Sequence, residues 1–222
     1  MKALILAAGM GARLRPLNLD LPKPLIEIKG KPLILWNIEK LRNSGITEIV
    51  INLFYKGEQI KEFLGTGSDY GVNILYSEEE ELLGTGGGIG NALDLLGKDP
   101  FLMISADVWT DFNMTNMALD ESLLAHLILK NNPVSHPEGD LSLRKGFVRD
   151  SFGAMRLTFS GVAIMNPYIF KNINQRKYEL WEYVLKPACS KELVTGELYE
   201  GTIFNVNTPE DLERLDALLH EG

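Results

Sequence analysis

In the stretch MKALILAAGMGARLRPLNLDLPKPL, an apolar run ends at Gly9, Gly11 follows, and Arg13, Arg15 and Lys23 concentrate positive charge in a chain that is acidic elsewhere. Arg13 and Arg15 stand two residues apart, so an extended loop can turn both to one side. Lys23 is held between Pro22 and Pro24 on a stiff backbone and loses little entropy on binding. Arginine offers forked donors for phosphate oxygens and lysine a compact charge. Two close glycines let backbone N–H groups turn toward a phosphate chain. The dinucleotide fingerprint is excluded, because Leu14 stands where its third glycine belongs, and the Walker pattern lacks its Gly-Lys-Ser/Thr. The chemistry implied is the binding of an anion rich in phosphate.

Two further groups carry chemistry. In SADVWTD (105–111), Asp107 follows an apolar strand, and a carboxylate beside phosphate-binding cations suits Mg²⁺, a hard ion that prefers oxygen. Asp111 reads as a helix cap. In LGTGGGIGNA (83–92), three consecutive glycines before a helix allow close approach of a flat or bulky ligand and make a second helix N-terminus. The acidic run 78–81 before it reads mostly as a solvated loop.

The elements that must position these residues alternate. Strands are expected at 2–7, 47–54, 72–77 and 100–107, and helices at 32–44 (Pro32 in its first turn), 57–65 and 88–97. This rhythm implies right-handed crossovers and a parallel sheet. Beyond Asp107 come strands at 123–130 and 157–166, a hairpin within the polar stretch between them, a helix at 178–190 and a strand pair in 195–207. The last helix has Thr208 at N-cap, Pro209 at N1, Asp211 at N3 and a stripe of Leu212, Leu215 and Leu219. The expectation is one doubly wound α/β domain over 1–222 with a mostly parallel, Rossmann-like sheet and helices on both faces. Its first half spans about 1–111, its second about 112–207, and the C-terminal helix 208–222.

Composition narrows the class. The chain has 222 residues, 45% hydrophobic and 23% charged, enough for one large core. A net charge of −8 argues against nonspecific binding to nucleic acid or an anionic membrane. Cys189 is the only cysteine, so no intramolecular disulfide forms, and no apolar run is long enough to span a bilayer. A cytoplasmic location is expected. Cys189 reads as a core thiol, His126 as structural and His136 and His220 as exposed; Trp109 either lines a pocket or packs.

LAAGMGARLRPL followed by PKPL, LGTGGG and SADVWTD resembles the sugar-1-phosphate nucleotidylyltransferases over essentially the full chain. VINLFYKGEQI, TGGGI and TFSGVAIMNP resemble most the N-acetylmuramate-1-phosphate uridylyltransferases of peptidoglycan recycling. The resemblance implies an enzyme that takes an NTP and a sugar-1-phosphate, with Mg²⁺, to a nucleotide sugar and pyrophosphate. It implies that Leu6, Ala7, Ala8, Gly9, Gly11 and Ala12 wrap the nucleotide, with Glu79, Gly84 and Thr85 at the base. Arg13, Lys23 and Asp107 take the catalytic positions. Lys23, Ser105, Asp140 and Gly161 match sugar-phosphate positions, and Asp107 and Asn205 the metal positions. Many relatives carry Asp-Val-Gly-Thr-Pro-Glu where this chain reads Asn205-Val-Asn207-Thr-Pro-Glu, a choice that N-acetylglucosamine-1-phosphate uridylyltransferases resemble. An amide carbonyl still ligates Mg²⁺, with one negative charge fewer. The alternatives are a guanylyl- or cytidylyltransferase acting on mannose-1-phosphate, another sugar phosphate or phosphocholine, and a regulatory protein that binds a nucleotide sugar without turnover.

Overall fold

A computed structural model describes residues 1–17, 20–115, 117–150 and 156–220, with the side chains of 15–17 outside the described set. Strand β1 (Ala3–Leu6) leads through the first loop and a 3-10 segment to a small ribbon, β2 (Glu27–Ile28) and β3 (Lys31–Pro32). Helix α1 (Leu33–Asn43), β4 (Glu48–Leu53), α2 (Gly57–Leu64), β5 (Asn73–Glu78), α3 (Gly84–Leu96) and β6 (Phe101–Ser105) follow in alternation. The second half contains β7 (Val108–Thr110), β8 (Ala125–Lys130), β9 (Ser142–Arg144), β10 (Phe147–Arg149) and β11 (Thr158–Met165). It ends with α4 (Lys186–Cys189), β12 (Val194–Leu198), β13 (Ile203–Asn205) and α5 (Pro209–His220).

Nine strands form one sheet in the order β5-β4-β1-β6-β11-β8-β12-β10-β9. Only β10 and β11 run against the other seven. Alternate residues of β1 enter opposite cores, Ala3 and Ile5 beneath α1 and α2, Leu4 beneath α3 and residues 180–189. A strand buried on both faces is a continuous apolar run, as the sequence shows at ALIL. A third cluster, Ile28, Leu33, Val206 and Leu215, seats α5 against the first ribbon.

The N-terminus of α5 matches its sequence signals. Asp211 accepts from the backbone N–H groups of Asn207 and Thr208, both at 2.9 Å, and donates its own N–H to Thr208 Oγ1 at 3.3 Å. This is a capping box with aspartate in the usual glutamate place. The hairpin β9–β10 turns through Lys145 and Gly146, both at positive φ (53° and 79°), as a two-residue hairpin requires.

Four expectations are corrected. Pro32 is the N-cap of α1 and pairs with Glu27, so it lies outside the first turn. Helix α3 starts at Gly84, not Gly88, with the glycines inside it. Residues 181–185 form a π-turn before α4: Lys186 N–H reaches Trp181 O, and Pro187 has no N–H to continue a regular ladder. The expected strand pair in 195–207 is two unrelated strands. β12 joins the main sheet beside β8, while β13 leaves to pair with β7.

Candidate functional site

Parallel register places Leu6 at the end of β1 between Asn52 of β4 and Ser105 of β6. A cleft of about 440 Å³ opens beyond these C-terminal strand ends, where open α/β sheets bind ligands. The first loop forms its centre, with Leu6, Ala7, Ala8, Gly9, Gly11 and Ala12 all lining it. Ser105 and Asp107 line it at the end of β6, with Arg13 and Lys23 brought to the same end from the segment after β1, and Glu79, Gly84 and Thr85 line it after β5. Strands β5 and β6 are three spacings apart, about 14 Å, so these groups occupy opposite ends of the cleft.

At one end, Lys23 Nζ donates to Asp107 Oδ2 at 2.5 Å and to Asn207 Oδ1 at 3.0 Å, and Arg13 donates to the same amide oxygen at 2.8 Å. Pro22 and Pro24 hold Lys23 in a 3-10 turn. Gly11 has φ +57°, and a Cβ there would lie 3.1 Å from Lys23 Cβ; the glycine admits the lysine to the loop. The side chain of Arg15 lies outside the described residues.

At the other end, Asn52 Oδ1 accepts from Ala7 N–H at 2.8 Å while its Nδ2 donates to Glu79 Oε1 at 2.7 Å. Glu79 Oε2 accepts from Leu83 N–H at 3.1 Å. This buried chain of bonds ties the first loop to the entrance of α3. Burial raises the Glu79 carboxyl above its ordinary value, against the two hydrogen bonds that favour its charge. The glycine run does not leave room for a ligand along its whole length. A Cβ on Gly86 would meet the Tyr178 ring at 2.5 Å, one on Gly87 the Arg176 carbonyl at 2.4 Å, and one on Gly88 Asn52 and Glu79 at 2.7 Å. The protein's own chain fills that space, and tertiary packing makes a helix of residues that disfavour one.

Asp140, Gly161 and Asn205 do not line the cleft. Gly161, at φ +87°, sits at the register shift of β11, where a Cβ would lie 2.9 Å from Ser105 Oγ. Asp140 accepts from Phe159 N–H at 2.9 Å and meets His136 Nε2 at 2.9 Å. Asn205 Oδ1 accepts from Lys130 Nζ at 2.5 Å, and its Nδ2 donates to Ser160 O at 3.4 Å. Lys130 ends β8 on the same sheet edge, half-buried. Burial lowers its pKa, while Asp107, Asp211 and Asp140 oppose that shift. The amide expected to face a metal thus faces an ammonium group, and Asn207 is the asparagine in contact with Lys23.

Among the described residues, no group of three or more His, Cys, Asp and Glu side chains is arranged to hold a metal. The available set is one carboxylate, Asp107, and neutral amide oxygens. That set fits Mg²⁺ when substrate phosphates complete it, since this ion keeps waters and takes one or two carboxylates.

Sequence reasoning missed Asn52, Lys130 and Glu179, and read Asn207 only as a turn residue. Asn52 had a signal, being one polar residue inside the apolar strand TEIVINLF. Asp111 caps no helix; it accepts from Tyr199 Oη at 2.9 Å and Thr202 N–H at 2.8 Å. Cys189 is buried, its thiol pushed up to about 12 by desolvation. His126 Nδ1 pairs with Thr195 Oγ1 at 2.9 Å, and Trp109 packs on the α5 cluster and also borders a second cavity beside α1. No helix among the described residues is long and apolar enough to cross a membrane.

The chain is 44% identical over 226 residues to an N-acetylmuramate alpha-1-phosphate uridylyltransferase of Neisseria meningitidis, covering 98% of each chain. It is 34% identical to a mannose-1-phosphate guanyltransferase of Schizosaccharomyces pombe, over 95% of this chain and 62% of that longer protein. Its fold matches the crystal structure of HddC from Yersinia pseudotuberculosis complexed with GMP-PN, at TM-score 0.81 and 23% identity, over 98% of this chain and 99% of that one. Residues 2–128 match the nucleotidyl transferase family, and with the first loop, Lys23 and Asp107 assembled at one sheet edge, the chain belongs to that family.

Proposed function

We propose that this chain transfers the uridylyl group of UTP to N-acetylmuramate 1-phosphate, releasing pyrophosphate, as a Mg²⁺-dependent step in the cytoplasmic reuse of cell-wall sugars. The 44% identical relative carries that name. The observation that carries the reading is the Arg13–Asn207–Lys23–Asp107 cluster, set opposite Glu79 along one cleft. A nucleotide laid along the cleft has its base at Glu79 and Gly84 and its phosphates at the cations.

No covalent nucleophile is needed. The phosphate oxygen of the sugar substrate attacks the α-phosphorus in line, and the P–O bond to pyrophosphate breaks. Lys23 and Arg13 bring two polyanions together that would otherwise repel, and hold them aligned. Asp107 would hold Mg²⁺, and Asn205 would join it only by exchanging Lys130 for the ion, which neutralises charge on the transferring phosphoryl group when bound. Backbone N–H groups of the first loop take phosphate oxygens. Glu79 accepts a base N–H through lone pairs left over from its bonds to Asn52 and Leu83. That acceptor serves N3–H of uracil or N1–H of guanine, and a guanylyltransferase acting on mannose 1-phosphate is the second reading, favoured by the Schizosaccharomyces relative.

The test is pyrophosphate release with Mg²⁺ across four NTPs and a set of sugar 1-phosphates that includes N-acetylmuramate and mannose. Release confined to UTP with N-acetylmuramate 1-phosphate is expected. Another productive pair replaces the substrates, and silence across the grid with nucleotide sugar still bound supports a regulatory binder.

A further inference from the structure

Glu179 lines the cleft beside Gly84 and Thr85, and no motif or local spacing in the sequence marks it. Its position is fixed from both sides. Tyr178 N–H donates to Leu83 O at 2.9 Å, and Gly87 N–H donates to Tyr178 O at 3.0 Å, so two backbone bonds lock the strap 176–180 to the start of α3. Tyr178 and Leu180 on either side are buried, the tyrosine ring lying where a Cβ on Gly86 or Gly90 would stand. Glu179 alternates outward between them, and its Oε1 lies 2.8 Å from the place a Gly84 Cβ would occupy.

Among the described residues this carboxylate makes no side-chain hydrogen bond or ion pair, although the same strap carries two cations. Arg176 is turned away to Glu80 at 3.1 Å. An ionised carboxylate only accepts, so its partner in the cleft must be a donor. It stands at the end far from Arg13 and Lys23, where like charge keeps phosphates away. The base N–H is accounted for by Glu79. Of the donors left, hydroxyl groups are the ones that both sugar rings carry.

Building on the proposed function, we propose that Glu179 contacts substrate directly, its carboxylate accepting the hydroxyl groups of a bound sugar ring, either the ribose of the nucleotide or the pyranose of the sugar phosphate. The glycine run of α3 then has a purpose beyond packing, since its missing side chains admit the strap that carries Glu179.

Glu179→Gln and Glu179→Ala are compared with the parent chain by calorimetric titration of UTP, 2′,3′-dideoxy-UTP, UDP and UDP-glucose, with thermal melting as a check on folding. A hydrogen bond to a charged group predicts a loss of about tenfold in affinity on removal. If the ribose is the donor, the variants lose about tenfold for UTP and nothing for the dideoxy nucleotide. If the pyranose is the donor, UTP and UDP bind unchanged and the variants lose the affinity that UDP-glucose gains over UDP. Unchanged binding of all four, or an equal loss for all four, overturns the proposal. Because binding is read without turnover, a parent chain that binds and discriminates yet releases no pyrophosphate refutes the proposed reaction and leaves this assignment standing.

Discussion

Lys23 Nζ lies 2.5 Å from Asp107 Oδ2, across 84 residues of sequence, with the two side chains 14% and 24% exposed. The cation expected to bind phosphate and the carboxylate expected to bind metal thus hold one another in the free protein. In the proposed reaction the substrate phosphates would take Lys23 from this pair and a metal ion would take Asp107. Lys23→Met removes the transferable charge, and kcat/KM for pyrophosphate release is expected to fall by roughly 10²-fold or more. A fall confined to KM would assign Lys23 to uniform binding alone.

In the proposed reaction Asp107 would be the one carboxylate offered to Mg²⁺, so the ion would bind weakly without substrate. Chelation by EDTA is expected to abolish turnover and excess Mg²⁺ to restore it, with ion affinity much higher in the presence of UTP than without it. Asp107→Asn is expected to raise the Mg²⁺ concentration for half-maximal rate by about tenfold or more, as read from rate against free Mg²⁺. Full activity in the presence of EDTA would remove metal from the mechanism.

Gly87 lies where a Cβ would be 2.4 Å from the Arg176 carbonyl. The helix propensity of alanine favours Gly87→Ala by up to about 1 kcal/mol. A backbone clash of that depth outweighs it, and a net loss of about 1–3 kcal/mol is expected in urea unfolding. A stabilised variant would mean that the strap moves aside freely.

Glu79 imposes a pH dependence on stability. Its folded pKa is raised by burial above the ordinary 4.5, so between the two values the folded chain holds more protons than the unfolded chain. Stability contributed by the neutral group is fully present below 4.5 and lost as pH rises through the folded pKa. Glu79→Gln, which stays neutral, is expected to flatten this part of the curve of unfolding free energy against pH. An unchanged slope would show that the hydrogen bonds from Asn52 and Leu83 offset the burial.

Much of the site is legible because its parts are local. A strand that ends in glycines, a lysine between prolines and an acid after an apolar run each announce themselves within a few residues, and the sheet brings their ends together. Glu179 and Lys130 carry no such mark, since their neighbours in sequence say nothing of Gly84 or Asn205. The start of α3 was hidden because glycine propensity argues against a helix that only the packing of Tyr178 makes favourable. Where β12 and β13 part, Asp111 accepts from Tyr199 and Thr202, and the chain passes on to pair with β7. A bond from 88 residues away leaves no trace in local pattern.

Strand β11 enters the sheet between β6 and β8, both of which precede it in the chain. Until residue 165 has left the ribosome, the near-wholly apolar β6 keeps an open edge, with its N–H and C=O groups ready to pair with any extended chain. The register shift at Gly161 is therefore completed only when this late strand docks, and the cleft floor beside Ser105 closes in the same event. A chain built this way gathers its long-range pairings late, so its folding is slow, and its vulnerability to aggregation is concentrated in the interval before β11 arrives.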